Sequence, residues 1–377
     1  MRKNIWEMYC LAMFFAFCIV FAGCKKEAVW NPGTPLPKEK IKVAVIHPYE
    51  IDGSSLYDYA HYTGTLEMQR NLGLEDSQII RKVNVFDGDP AETEGAMRDS
   101  IAEGANIILA TSWGYMDTCE KLAKEFPHVV FAHATGYKYN DRNFTNYSIR
   151  FYQARYLSGI VAGLQTKTGQ IGYVAAMGSD NSEVTGGINA FAMGVEEVNP
   201  EARVYVRITH SWYDPMGETE AANALIARSC DVISAHCNTP APQMAAQAAG
   251  VWGIGFNSDM RVDAPDSVIT SVVLHWGVYY TGLVESVIDG TFRTEPRFYG
   301  FMEGAIDITA LNEKLAAPGI EAAVEAGRQR LREGFNVFDG VMRTNTGRAI
   351  GEEGQTLSDD VILGGIDWYY RNVAVTR

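Results

Sequence analysis

The apolar and polar positions in residues 106–136 show the plan on which the chain is built. Residues 107–110 form a short continuous apolar run, which is typical of a strand buried on both faces. In residues 116–126 apolar side chains recur every three or four positions, which predicts an amphipathic helix that ends before Pro127. A second apolar run follows at residues 129–132. The pattern therefore predicts a right-handed, parallel strand–helix–strand unit.

An aromatic loop, residues 112–115, joins the first of these strands to the helix. In open parallel sheets ligands bind beyond the carboxyl ends of the strands. Trp113 is therefore expected at the lip of a binding crevice. A tryptophan that caps the core is equally compatible with this segment.

Two sets of alternating strands and helices follow one another, the first from about residue 41 and the second from about residue 171. Predicted strands include 41–46, 82–86, 107–110, 147–151, 171–175, 204–208, 231–235, 252–256 and 268–273, and predicted helices include 152–164, 183–198, 277–288 and 320–332. The pattern predicts an α/β fold of two doubly wound parallel-sheet lobes with a ligand cleft between them. The lobes are expected at residues 40–166 and 167–266, with residues 267–377 passing back and forth between them.

The predicted helix at residues 152–164 carries Gly159 and Gly163. Small residues four positions apart let a neighbouring helix approach closely. Arg155 and the short length of the helix exclude a membrane span.

The first residues have the features of a targeting segment. Basic residues precede an apolar run at 11–21 that is too short to span a bilayer, and a glycine and Cys24 follow. Small residues before a cysteine resemble the lipobox of bacterial lipoproteins, which predicts a signal peptide at 1–24 and a lipid anchor on Cys24. The alternative is an ordinary secretory signal with an incidental cysteine. The proline-rich residues 25–39 are expected to form a tether.

Charge and cysteine content exclude several classes of protein. The formal net charge of −14 argues against binding to nucleic acid, which needs a basic surface. Beyond the signal only Cys119, Cys230 and Cys237 remain, and this odd number, with Cys119 on the core-facing side of a helix, favours buried thiols. Their spacing does not match a zinc site.

No motif for catalysis stands out. The sequence lacks GxSxG, GxxxxGK and HExxH, and no GxGxxG follows a predicted strand. His133 and His236 each lie near the carboxyl end of a predicted strand and could reach the cleft, where a wall residue is the more usual role. We therefore expect no catalytic residue, no metal and no cofactor.

Aromatic residues are concentrated at predicted loop positions around the crevice. They are Tyr57, Trp113, Tyr115, Trp212, Tyr213 and Trp276. Aromatic side chains bind flat ligands by stacking, at about 1–3 kcal/mol per stacked base. Any one of them could instead seal a loop over the core, but the set as a whole favours ligand binding.

Several motifs resemble those of the basic membrane protein family. Its members are lipid-anchored receptors of ABC importers and are similar to periplasmic binding proteins. The matching segments are 111–117, 133–137, 188–191, 212–215 and 258–260, and the resemblance extends from residue 41 to about residue 307. Many members bind purine nucleosides. The resemblance implies a small purine ligand, an ABC permease as partner and a membrane anchor, and the receptor is expected to be monomeric.

The resemblance also implies positions for the binding residues. Family members hold a purine ring between two aromatic side chains, and these positions correspond to Tyr57 in the segment 56–64 and to Trp212 before an Asp-Pro pair. Asp58 follows the first aromatic and could accept a hydrogen bond from a base N–H.

The part of the family pattern that holds ribose is changed in this chain. In residues 255–259, Asn257 replaces the first aspartate of a GVDSD-like loop, and Leu274 stands at the position of a lysine. Both charged partners of the sugar are absent, so we expect a free purine base, adenine or a close relative, to bind better than its nucleoside. Alternatively Asn257, Asp259 or His275 reaches the sugar. An alternative of another class is a lipoprotein enzyme that acts on nucleosides.

Overall fold

The computed structural model describes residues 30–376. The predicted signal peptide, the lipidation of Cys24 and the start of the tether lie outside the described residues. Within residues 30–376 no helix is long and apolar enough to cross a membrane.

Six strands of the described chain form a first, parallel sheet in the order β2-β1-β3-β4-β5-β11. They are β1 Val43–Ile46, β2 Ile79–Lys82, β3 Ile107–Ala110, β4 Val130–Ala134, β5 Phe144–Ile149 and β11 Arg297–Tyr299. The central strands β1, β3 and β4 are buried along their whole length, as continuous apolar runs predict.

A second sheet contains seven strands in the order β12-β10-β9-β8-β6-β7-β15, parallel except for β12. They are β6 Gln170–Ala175, β7 Arg203–Ile208, β8 Val232–His236, β9 Trp252–Asn257, β10 Val268–Leu274, β12 Ile306–Ile308 and β15 Val373–Thr376. A small antiparallel pair, β13 Met342–Arg343 and β14 Ala349–Ile350, stands apart from both sheets.

Ten α-helices connect these strands within residues 30–376. They are α1 Leu56–Leu72, α2 Pro90–Ala102, α3 Met116–Glu125, α4 Phe151–Gln165, α5 Ser182–Val198, α6 Pro215–Ala227, α7 Ala241–Ala249, α8 Trp276–Asp289, α9 Ile320–Arg332 and α10 Asp359–Gly364. The predicted fold class, α/β with two parallel sheets, is confirmed.

One predicted strand was misplaced. The segment 82–86 alternates apolar and polar residues as a strand does, but the chain pairs with β1 earlier, through Ile79 and Ile80. Asn84 has a left-handed φ of 55°, which interrupts an extended path. The apolar residues of 82–86 therefore lie in the turn that follows β2.

Helices α4 and α5 pack with their backbones in contact. A Cβ atom added at Gly159 would collide with the carbonyl group of Phe191, and one at Gly194 would collide with that of Tyr156. The close approach that Gly159 predicts is therefore real. The three cysteines of the described chain, Cys119, Cys230 and Cys237, are buried free thiols, as expected.

Three connections join the two sheets, and they are bonded to one another. The chain crosses after β5, after β10 and after β11. The N–H of Arg150 donates to the carbonyl of Tyr299 at 2.7 Å, and the N–H of His275 donates to that of Ala305 at 2.9 Å. These bonds tie the crossings into one hinge beside the cleft.

Candidate ligand site between the lobes

The two sheets meet at loops that follow the carboxyl ends of their strands. The N–H of Leu56 donates to the carbonyl of Asn238 at 2.8 Å, and the Ser258 hydroxyl reaches the Leu56 carbonyl at 3.4 Å. Tyr49 stacks on Tyr213, with ring centroids 4.9 Å apart. These contacts close the cleft at its mouth.

Tyr57 lies in the first turn of α1, beside the end of β3. Its hydroxyl donates to the carbonyl of Thr111 at 2.8 Å. The ring meets His61 edge-on at 4.5 Å and Trp276 at 6.2 Å. Burial raises the pKa of Tyr57 well above its usual range, so the hydroxyl stays protonated and donates. The ring is therefore held in one orientation.

A continuous aromatic wall runs from Tyr57 to Trp212 across the hinge side of the cleft. Trp276 meets Phe151, Phe151 meets Phe256, and Phe256 meets the ring of His236 at 4.4 Å. Trp212 meets His236 edge-on at 6.0 Å from the other side. The two predicted stacking residues thus lie at the two ends of one wall, on opposite lobes.

Asp58 lies beside Tyr57 and is fully buried. Its Oδ2 accepts from the Ser55 hydroxyl at 2.5 Å. Its Oδ1 lies 3.6 Å from His47 Nδ1 and has no hydrogen-bond partner among the described residues. A buried carboxylate oxygen without a donor is costly, so the arrangement suits a ligand N–H at this point.

Other buried polar atoms of this region also lack a partner in the described part of the chain. They are Trp276 Nε1, His236 Nε2, Asn257 Oδ1 and the three side-chain nitrogens of Arg155. Natural proteins pair the great majority of such groups with protein atoms or ordered water. These atoms are available for hydrogen bonds to a polar ligand.

Asn257 and Leu274 lie where the family pattern has its sugar-binding charges. Asn257 has a left-handed φ of 68°, and its amide donates to Asn238 Oδ1 at 3.2 Å. Because the Asn238 carbonyl holds Leu56, this contact supports the junction between the lobes. Leu274 is buried in the apolar core at the end of β10.

Three of the predicted positions lie at the edge of the site or outside it. Trp113 is 56% exposed on the 3₁₀ turn Trp113–Tyr115, so it does not cap the core. Tyr115 is fully buried and donates to the carbonyl of Val85, so it belongs to the core and not to the crevice. The Asp259 carboxylate is engaged by the guanidinium of Arg261.

Glu183 is a site residue that sequence reasoning missed. It lies in the first turn of α5, the helix that follows β6, and its Oε1 is 3.6 Å from His236 Nε2. Burial raises the pKa of Glu183 to about 7, although the charge of Arg155 opposes this rise. Glu183 follows the end of β6 by eight residues, so the strand-end rule that pointed to Trp113 does not single it out.

The described residues offer binding groups and no reactive constellation. No group of His, Cys, Asp or Glu side chains in residues 30–376 is arranged to hold a metal ion. Burial lowers the pKa of His236 well below its usual range and that of His133 to about 4, so both rings are neutral. The arrangement can hold a flat ligand by its faces and by its polar edges.

Comparison with known proteins identifies the family. Residues 40–333 match the Bmp family model, described as ABC transporter substrate-binding protein PnrA-like. The chain belongs to this family. This Bmp protein is 34% identical over 337 residues to a purine-binding protein of Brucella abortus, a match that covers 88% of this chain and 93% of the relative. It is also 33% identical over 274 residues to a Haloferax volcanii protein that is named as an ABC transporter glucose-binding protein. This match covers 73% of this chain and 68% of the relative.

Solved structures show the same fold. An ABC transporter solute-binding protein from Conexibacter woesei superimposes with a TM-score of 0.66 at 22% identity, over 78% of this chain and 97% of the other. The family model and the two relatives describe substrate-binding proteins and not enzymes, so the enzyme alternative is set aside. As an ABC substrate-binding protein, the Bmp protein works outside the cytoplasm with a small-molecule ligand and a permease.

Proposed function

We propose that this Bmp protein is a lipid-anchored receptor that captures a purine as the free base, with adenine favoured, and delivers it to an ABC permease. One observation carries the proposal. Tyr57 and Trp212 stand at opposite ends of one aromatic wall, and Asp58, beside Tyr57, has a buried oxygen without a donor. The purine ring lies against Tyr57 of the first lobe and Trp212 of the second while one of its N–H groups donates to Asp58.

The surroundings of the expected sugar position support a base over its nucleoside. Hydrogen bonds to charged groups contribute about 1.5–3 kcal/mol, against about 0.5–1.5 kcal/mol for neutral ones. The side chain at Leu274 cannot form any, and Asn257 offers a neutral amide, whose nitrogen donates to Asn238, in place of a charged carboxylate. Asp259 is engaged by Arg261. A ribose at this place would leave hydroxyl groups poorly paired.

The names of the two relatives suggest different ligands. The Brucella abortus relative is named for purine binding and the Haloferax volcanii relative for glucose binding. A sugar needs a hydrogen-bond partner for each buried hydroxyl, whereas a base needs ring faces and a few donors and acceptors. The aromatic wall with Asp58 at its end favours the purine.

Calorimetric titration of the purified protein with adenine, guanine, hypoxanthine, their ribosides and glucose tests the proposal. We expect a free base to bind most tightly, with adenine first among the bases. A riboside that binds at least tenfold more tightly than every base would refute the free-base assignment. Glucose as the tightest ligand would refute purine capture altogether.

The anchor and the oligomeric state belong to the same proposal. Cys24 carries the lipid, and the following segment connects it to the first lobe; its last part already packs on the folded chain, where Leu36 is buried and donates its N–H to the carbonyl of Val287. The receptor acts as a monomer, which light scattering of the protein lacking its signal peptide measures directly.

A further inference from the structure

The carboxylate of Glu183 faces the ligand site from the second lobe. Its side chain is 25% exposed and borders a pocket of about 50 Å³, which is also lined by Phe151 of the aromatic wall and by Thr135 and Ser148 of the first lobe. The pKa of Tyr57 is raised mainly by burial, and the charge of Glu183 adds to the rise. Glu183 therefore lies within electrostatic range of the stacking residue on the opposite lobe.

Four ionisable groups surround Glu183. Arg155 of α4 lies behind it, with its guanidinium 4.0 Å above the ring of Phe256 and no salt-bridge partner within the described residues. His236 of β8 and Tyr173 of β6 lie on the sheet beneath, and Tyr57 lies across the cleft. No hydrogen bond joins the Glu183 side chain to another residue of the described chain.

Glu218, a second acidic residue of the same lobe, has a structural role and serves for comparison. Glu218 also has a pKa raised to about 7 by burial. Its oxygens are satisfied, however, because it accepts from the Thr239 hydroxyl at 2.6 Å and from the Asp214 N–H at 3.2 Å. Glu218 thus ties two loops together. Glu183 has no such hydrogen bonds, and its side chain is partly exposed toward the pocket.

His236 beside Glu183 is hydrogen-bonded on one side of its ring only. Its Nδ1 lies 3.2 Å from the Tyr173 hydroxyl, which donates to this nitrogen or accepts from it according to the tautomer of the ring. Its Nε2 has no hydrogen-bond partner within residues 30–376 and lies 3.6 Å from Glu183 Oε1. A neutral ring with its proton on Nε2 would offer a donor beside the Glu183 carboxylate.

We propose that Glu183 and His236 form the second lobe's half of the base-recognition site, in which Glu183 accepts an N–H of the base and His236 Nε2–H donates to a ring nitrogen. This deepens the proposed function and rests on it. Asp58 takes a second N–H from the first lobe, so the two carboxylates bracket the ligand. Such a site selects a ligand with N–H groups on two edges.

This bracketing explains why a free base is preferred. Adenine carries N–H groups on its exocyclic nitrogen and on its five-membered ring. In the riboside, the ring nitrogen that would carry the second proton is bonded to the sugar. One of the two carboxylates would then remain buried without a donor, which is expensive. Glu183 and Asp58 together thus act as specificity-determining residues.

The test compares adenine binding by wild type, Glu183→Gln and a matched control, Glu220→Gln, by calorimetry at pH 8 and pH 6. Glu220 is exposed on α6, so its change removes the same charge from the same lobe. Glutamine at position 183 keeps the shape of the side chain and should fold. Thermal melting of each variant verifies this.

At pH 8 we expect Glu183→Gln to bind adenine at least tenfold more weakly than wild type, while Glu220→Gln matches wild type. The acceptor must be ionised, and its pKa in the free protein is about 7. Between pH 8 and pH 6 the ionised fraction of Glu183 falls about tenfold. The adenine affinity of wild type should therefore fall about tenfold over this range, while that of Glu183→Gln should not. A merely structural residue would not change the ratio of these affinities with pH.

Two results would overturn the inference. If Glu183→Gln binds adenine within twofold of wild type at both pH values, the proposed function stands and Glu183 is not part of the recognition site. If wild type binds no purine at all, the proposed function fails and the inference fails with it.

Discussion

At Tyr57 two substitutions can separate the ring's contribution to ligand stacking from the hydroxyl's contribution to stability. Its ring faces the cleft, while its hydroxyl is bonded to the Thr111 carbonyl at 2.8 Å. Replacing it with leucine removes the ring face, and replacing it with phenylalanine removes only the hydroxyl. The two variants therefore test different contributions at one position.

The magnitudes follow from these contacts. A lost stacking partner costs about 1–3 kcal/mol, which weakens adenine binding by about 5- to 150-fold in Tyr57→Leu. A lost neutral hydrogen bond costs about 0.5–1.5 kcal/mol. In Tyr57→Phe this loss should appear in the free energy of unfolding, with adenine affinity changed by less than about threefold.

Calorimetry with adenine and chemical denaturation of both variants measure the two quantities. The stacking role is refuted if Tyr57→Leu remains folded and binds adenine within twofold of wild type. Equal loss of affinity in the two variants would show that the tether to Thr111, and not the ring, controls binding.

Four further outcomes are expected. Cys24→Ser should release the protein into the soluble fraction or leave uncleaved precursor, because serine cannot carry the acyl chains that would hold the protein on the membrane; mature protein in the membrane fraction would contradict the anchor. Trp212→Ala should cost about 1–3 kcal/mol of adenine binding, and Trp113→Ala should cost less because its indole is mostly exposed; equal losses by calorimetry would show that both stack. Gly194→Ala places a methyl group against a backbone carbonyl of α4 and should lower the free energy of unfolding by about 1–3 kcal/mol; an unchanged value by denaturation would rule out the close helix contact. Burial raises the pKa of Glu183 in the folded state to about 7, from its ordinary 4.5, so wild type loses stability as the pH rises from 4.5 to 7. Glu183→Gln should therefore be more stable than wild type by about 1–3 kcal/mol at pH 8; a lower melting temperature for the variant would contradict this.

Local patterns predicted the central elements because burial on both faces leaves a clear signature. The unit β3–α3–β4 and the helix α9 at Ile320–Arg332 lie where the apolar periodicity places them. The short strands β11 and β15 were not predicted, because only pairing with distant strands makes them strands. The misplaced β2 is an edge strand with two buried residues, so its own signal was weaker than that of the alternating segment after it.

The site was predictable only in part, for a related reason. Residues directly after strand ends, such as Trp212, could be placed beside the cleft from the chain alone. The site that contains Glu183, His236 and Arg155 could not be predicted in this way, because these residues come together only through contacts between elements far apart in sequence. Burial and unpaired donors are properties of the folded chain, so no local pattern reports them.

The order in which strands join the sheets has a consequence for the time that folding takes. Thr145 beside β11 is bonded to Glu295, 150 residues later, and Thr376 of β15 is bonded to Val206, 170 residues earlier. Contacts between such distant segments form slowly because a long loop must close first. Neither sheet can be completed until most of the chain has been synthesised. The last strand of each sheet therefore closes over segments that are made long before it.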